Sequence, residues 1–256
     1  LENPGARAIL DEFCSARGIT TIYFYADTYD GVFYLKENPG LYRSFIAWAH
    51  SEGYYIHALL ASSFYCAPMW AYSRYHDKAV DLMENVLNYN ISSAAYEHFD
   101  GVNIDIEPHG LPDWLAKPVV QVQELDMLEK MINRKLAAGQ NLNVGYAIPR
   151  WCDSNSECTN ILWKGVTKDL AFHVQDLMDY ISIMDYRDVA GGPSGIIKYG
   201  QDEIDYGTTI GKPVVIGVET DWISATGDPE KISFHEEGSD FMETELAEVY
   251  AAFDSE

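Results

Sequence analysis

The chain has 256 residues, 47% of them apolar, enough to bury a substantial core, and its length suits one large domain over residues 1–256. Forty acidic against seventeen basic residues give a formal net charge of -23. That charge repels phosphate backbones and anionic headgroups, which argues against nucleic acid and membrane surfaces as partners. No apolar run approaches the roughly 18 residues that a membrane-spanning helix needs.

In chain order, helical and strand-like segments alternate. A helical pattern over Ala6–Arg17 stops at Gly18, and the β-branched, aromatic run Ile19–Ala26 reads as a strand. Leu41–Glu52 is amphipathic, stops at Gly53 and precedes the strand Tyr55–Ala61. A longer helix from Asp77 to about His98 leads to the strand Gly101–Glu107, and Val119–Ala138, stopped by Gly139, leads to Leu142–Ile148. Asp169–Met178 leads to Tyr180–Tyr186, Gly195–Tyr206 to Pro213–Glu219, and the helical pattern Phe241–Phe253 closes the series. Strands that alternate with helices in this way build parallel βαβ units, and strands apolar almost throughout belong in a sheet covered on both faces.

A doubly wound sheet would show the same alternation. No glycine-rich phosphate loop follows a strand, however, and polar residues gather at the strand ends: Asp27, Ser62 and Ser63, Glu107, Arg150, Asp185 to Asp188, Glu219 and Asp221. In an α/β barrel these ends converge on one face, where such folds place their sites. Six strands are recognised where a barrel has eight. Because the chain opens and closes on helices, the first and eighth are the ones missing. The chain is then either an excerpt of a longer protein or a barrel whose open edges are covered by self-association or by a partner.

The chemistry concentrates in Phe99–Gly110, FDGVNIDIEPHG. Alternation along a strand turns Asn103, Asp105 and Glu107 to one face and Ile104 and Ile106 to the other. Polar groups in a row on a buried strand are costly unless paired or functional. A salt-bridged network is the structural alternative, but few basic residues lie near. Two carboxyls roughly 7 Å apart along a strand suit split pKa values, one ionised and one protonated as a general acid.

This segment resembles the signature of family 18 glycoside hydrolases, the chitinases and endo-β-N-acetylglucosaminidases, whose pattern D-x-x-D-x-D-x-E lies on the fourth barrel strand. Asp100, Asp105 and Glu107 match it, and Asn103 replaces the second aspartate. With the first strand missing, this strand is the fourth. Tyr180–Tyr186 is then the sixth, and its Met184-Asp185-Tyr186 is similar to the family's M-x-Y motif, followed by Arg187 where the family has Asp.

The resemblance implies hydrolysis of β-linked glycans containing N-acetylglucosamine, with no cofactor and an oligosaccharide or polysaccharide substrate. Glu107 would protonate the glycosidic oxygen, Asp105 would orient the 2-acetamido group whose carbonyl oxygen attacks the anomeric carbon, and Tyr186 would hydrogen-bond that group. Asn103, Asp100, Met184 and Asp185 would contribute to substrate binding. Arg187 could hold a carboxylate ionised or recognise an acidic sugar.

Further candidates come from position alone. Tyr25, Tyr146, Trp151 and Glu219 lie late on strands or just past them, as cleft-lining or substrate-binding groups; Trp151 serves equally well as a cap on the core, and Glu219 as an ion pair. Asp113 and Trp114 would form the lip of the motif. His235-Glu236-Glu237 reads as a solvated charged loop rather than metal ligands, and no CxxC or Cys/His cluster suggests zinc. Cys152 and Cys158, separated by five polar residues in a loop, would close a small disulfide ring, whereas Cys14 and Cys66 have no evident mate. With the sequon at Asn90, this leans towards an extracytoplasmic or secreted protein. Two rival readings stand beside the first: a non-catalytic sugar-binding barrel, and a retaining glycosidase with a protein carboxylate nucleophile.

Overall fold

The computed structural model describes residues 3–29, 32–60, 68–222 and 229–253. The expected strand-end serines Ser62 and Ser63, and Cys66, lie outside them. Six principal strands are present among the described residues: β1 (Thr21–Tyr25), β2 (Tyr55–Leu60), β3 (Gly101–Ile104), β4 (Asn143–Pro149), β5 (Tyr180–Met184) and β6 (Val214–Gly217). The long helices are α1 (Pro4–Ala16), α2 (Pro39–Ser51), α3 (His76–Ile91), α4 (Val119–Ala138), α5 (Leu170–Leu177), α6 (Ile196–Ile210) and α7 (Ser239–Phe253).

The strands are neighbours in simple chain order. β1 pairs with β2, β2 with β3, β3 with β4, and β5 with β6, all in parallel. A doubly wound sheet reverses its strand order about a switch point; this one does not. The architecture is a six-stranded parallel α/β fold of the barrel type, short of the eight strands of a closed ring.

Elements form where the periodicity places them, with small shifts at their ends. Asn3 caps α1, its side-chain oxygen accepting from Gly5 N at 2.9 Å, with Pro4 opening the helix. α4 ends at Gly139 with φ +64°, a left-handed position that other residues adopt at a cost. Two short antiparallel hairpins, Thr28–Tyr29 with Val32–Phe33 and Ile161–Trp163 with Val166–Lys168, lie outside the alternating series. They are too short for a periodicity to show.

Two compact units divide the chain at Tyr146 and Ala147, a boundary that falls within β4. In the first, the strands bury Ile56, Ala58, Leu60, Val102, Ile104 and Val144 completely, and α3 and α4 contribute Met83, Val86, Leu125 and Leu128. Phe24 stacks on Phe45 at 4.5 Å, and Tyr42, Tyr89 and Phe99 extend that aromatic layer. In the second, Ala190, Ile196, Phe234 and Val249 form a core cluster beside Ile216, Met242 and Phe253. Each fully buried aliphatic side chain contributes about 1.5–3 kcal/mol.

The entry to β3 is tightly constrained. A Cβ on Gly101 would lie 2.6 Å from the His57 ring and 2.7 Å from the Asn143 carbonyl oxygen, contacts that glycine alone avoids. Gly101→Ala is therefore expected to destabilise the protein by about 1–3 kcal/mol. Gly110→Ala, where a Cβ meets nothing within 4 Å, should change stability by under about 0.5 kcal/mol. Urea denaturation of the two variants checks the contrast.

Candidate active site

β3 ends at Ile104, but its course continues: Asp105 N donates to Leu60 O at 2.8 Å, so the strand is still held by β2 where its carboxylates begin. Alternation survives past the formal end, with Asn103 buried, Ile104 and Ile106 buried in the apolar layer, and Asp105 and Glu107 partly accessible. Asp105 is mostly buried, and its Oδ1 has no hydrogen-bond partner among the described residues. Burial first, then the neighbouring charge of Glu107, pushes its carboxyl up to about 6, against an opposing pull from His109.

Glu107 is more open, 45% exposed at the side chain, and its Oε2 lies 3.3 Å from His109 Nε2. That contact is with a histidine rather than an arginine. The His109 ring in turn stands edge-on to Trp114 at 6.4 Å. His109, two residues beyond Glu107, carries no signal in the sequence other than that nearness. The two carboxyls sit in unlike environments, and the buried member, the one with the raised pKa, is Asp105, not the expected acid Glu107.

A second arrangement fixes the backbone between them. Tyr146, fully buried on β4, places its hydroxyl oxygen 2.6 Å from Ile106 O and 2.7 Å from Glu124 Oε1. A carbonyl oxygen can only accept, so the single hydroxyl proton goes to Ile106 O. The contact with Glu124 then needs a proton from Glu124 itself. Burial drives the Glu124 carboxyl the same way, up to about 8. The chain runs from the Glu124 acid to the Tyr146 oxygen, and from the Tyr146 hydroxyl to the carbonyl that separates Asp105 from Glu107. Glu124 was missed in the sequence; its signal is a carboxylate within the apolar stripe Val120, Leu128, Met131 of α4.

Other expected positions are corrected. Tyr146 does not line a cleft, because its ring is buried and its hydroxyl serves the main chain. Asp100 lies at the opposite end of β3 from Asp105, about 16 Å away at the usual strand rise. There it accepts from Ile56 N at 2.7 Å and contacts His50 Nε2 at 2.9 Å, a structural tie rather than a substrate contact. Trp114 is buried, and Asp113 accepts a short hydrogen bond from the Tyr72 hydroxyl, so neither is a free lip. Tyr25 donates to Thr28 O at 2.8 Å and closes its own turn. The Asn90 amide exchanges hydrogen bonds with both the N–H and the C=O of Phe99 from a buried position, which leaves the sequon no accessible acceptor.

In the second unit, Met184 and Tyr186 are partly accessible, whereas Asp185 between them is fully buried. Alternation turns Asp185 away from its neighbours, so it does not share a substrate face with Tyr186. Glu219 Oε1 accepts from Thr220 N and Asp221 N, both at 2.7 Å, committing that oxygen to the following turn rather than to an ion pair. Trp151 opens the turn after β4, its carbonyl accepting from Asn155 N at 2.9 Å. No disulfide joins Cys152 to Cys158 among the described residues, although both are buried. Their backbone N–H groups bond within successive turns, to Pro149 O and Asn155 O. His235 packs edge-on against Trp222 at 5.7 Å, and among the described residues no group of three or more His, Cys, Asp or Glu is placed to hold a metal ion.

With this geometry in place, the fold aligns with carbohydrate-cleaving enzymes. The C-terminal domain of a putative chitinase from Desulfitobacterium hafniense matches with a TM-score of 0.52 and 18% identity, over 91% of this chain and 68% of that one. A chitinase from Chromobacterium violaceum matches with a TM-score of 0.51 and 15% identity, over 86% and 66%. The exo-beta-1,4-mannosidase Op5Man5 from an Opitutaceae bacterium matches with a TM-score of 0.51 and 10% identity, over 98% and 57%. The chain thus spans just under two thirds of the Chromobacterium enzyme and less of the mannosidase. No family model and no curated protein sequence matches. What these likenesses define is the fold, an α/β architecture of the barrel type.

The neutral Glu124 has a measurable consequence. A carboxyl whose folded pKa stands above its unfolded value stabilises the fold at low pH and loses that contribution as pH rises through the folded value. Stability is expected to fall between about pH 5 and pH 8, with Glu124 supplying a few kcal/mol of the change. Glu124→Gln, isosteric and neutral, should flatten this slope in urea titrations at the two pH values. Tyr146→Phe, which removes the hydroxyl, should cost about 1–3 kcal/mol at both.

Proposed function

We propose that the chain is a glycoside hydrolase acting on β-linked glycans that contain N-acetylglucosamine, through a proton delivered by Glu107 and an internal nucleophile supplied by the substrate. The observation that carries this reading is the unlike pair at the end of β3, one carboxyl buried and pushed up to about 6, the other open to a ligand. Glu107 donates to the glycosidic oxygen, and Asp105, once it has given up the proton it holds up to about pH 6, accepts the acetamido N–H and turns the acetamido oxygen towards the anomeric carbon. Likeness of fold to the chitinases supports the class.

The rival reading with a protein nucleophile is weakened at Glu219, whose Oε1 is tied to two backbone N–H groups. A substrate-assisted enzyme would cleave aryl β-N-acetylglucosaminides or chitooligosaccharides and leave the matching glucosides intact. Equal turnover of the glucosides would sink substrate assistance.

Glu107→Gln is expected to lower kcat/KM about 10²–10⁴-fold, with a melting temperature close to the parent's. The rate should rise as pH rises through about 6, where Asp105 gives up its proton and becomes able to accept the acetamido N–H, and Asp105→Asn should remove that limb. Sugar binding without turnover in the parent, unchanged by Glu107→Gln, would favour a lectin-like barrel.

A further inference from the structure

The second unit carries a cationic pair that the hydrolysis scheme does not use. Arg150, just past β4, and Arg187, just past β5, both lie over the ring of Tyr199 on α6, their guanidinium carbons 4.8 and 5.4 Å from its centroid. Neither forms an ion pair with a carboxylate among the described residues. Arg187 spends one N–H on the adjacent Tyr186 carbonyl, at 2.7 Å, and the buried Nε of Arg150 has no hydrogen-bond partner among the described residues.

The obvious counter-ions do not take hold of these groups. Asp185 is fully buried and neither of its oxygens accepts a hydrogen bond among the described residues; Glu203, one turn along α6 from Tyr199, is in the same condition. Burial pushes Asp185 up to about 7 against the opposing charges of Arg150 and Arg187, and Glu203, with help from Asp153, to about 9, so Asp185 is only a partial counter-ion to the two arginines. Arg150 in turn is drawn down by burial and by the neighbouring charge of Arg187. Two guanidiniums held against one aromatic ring, close enough for the charge of Arg187 to be felt at Arg150, are costly unless an anion joins them. Both side chains and Tyr199 remain partly accessible.

We infer that Arg150 and Arg187, stacked on Tyr199, form a binding site for a carboxylate carried by the glycan, so that the preferred substrate contains an acidic sugar. A planar carboxylate matches the guanidinium fork in two-point hydrogen bonding, and the Tyr199 ring fixes the orientation of both forks. The inference rests on the hydrolase reading for its ligand class, but its test does not require turnover.

Three tetrasaccharides are titrated calorimetrically into the Glu107→Gln protein: chitotetraose, a hyaluronan tetrasaccharide carrying glucuronate carboxylates, and 6-O-sulfated chitotetraose. The carboxylated probe is expected to bind roughly tenfold more tightly than the neutral one, with the advantage shrinking as salt rises. Arg150→Gln and Arg187→Gln should each abolish the advantage and leave chitotetraose within about twofold, while Arg187→Lys keeps part of it. Melting curves identify a variant that fails to fold, and the other arginine then carries the test. Equal affinity for neutral and carboxylated probes, or an advantage that survives both substitutions, overturns the site. A preference for the sulfated probe alone overturns the carboxylate assignment. Absence of turnover by the parent protein on every probe, with the arginine-dependent preference intact, would count against the hydrolase reading and leave the anion site standing.

Discussion

The arrangement of the candidate site depends on how one strand comes to an end. β3 is clamped between β2 and β4 through Ile104, and a parallel strand that simply stopped there would leave the next carbonyls to wander. Leu60 O holds the amide of Asp105, and the Tyr146 hydroxyl holds the carbonyl of Ile106, so two hydrogen bonds from the flanking strands carry the register past the last ladder pair. Asp105 and Glu107 therefore keep the alternation of a strand without being in one. The rest of the first unit supports this: the packing of α3 and α4 on the sheet brings Glu124 under Tyr146, and a neutral acid there satisfies the tyrosine without placing a charge in the core.

Burial of carboxyls is the recurring electrostatic device. Asp105, Glu124, Asp185 and Glu203 are all shifted upward with desolvation as the leading cause. In so acidic a chain this limits mutual repulsion, since burial keeps these interior acids protonated to higher pH than an ordinary carboxyl. It also gives each position a separate character. Asp105 titrates near the range where a shared proton is useful, Glu124 is a structural acid, and the pair in the second unit leaves two arginines without a full counter-charge. The same physical term yields a chemical group in one place and a scaffold in another, decided by what lies within hydrogen-bond reach.

Much of the fold was legible in the residues. Helical and strand periods located the six strands and seven long helices to within a few residues at most ends, because amphipathicity and glycine stops are local properties of the chain. The α3 boundary was the largest miss: the helix ends at Ile91 and a short 3-10 turn covers Ala95–Glu97, a change of backbone that the polar residues there do not announce. Asp105 and Glu107 were legible for the same local reason, since alternate positions on one strand must share a face. Tyr146 was misplaced because period-2 patterning does not say whether a ring ends in a cleft or against a neighbouring strand. Asp100 was misplaced because a motif match ignores that five residues of extended chain separate the two ends of a sheet.

By itself the sequence determined the order and type of the elements, the parallel α/β class and the strand that bears the paired acids, all consequences of short-range patterning and alternation. Only the tertiary structure decided which polar groups are committed to the scaffold. The proton on Glu124, the tie from Asp100 to His50 and the stacking of Arg150 and Arg187 on one tyrosine each join residues 12 to 50 positions apart along the chain or depend on burial, and neither long-range distance nor desolvation can be read from neighbours in the chain.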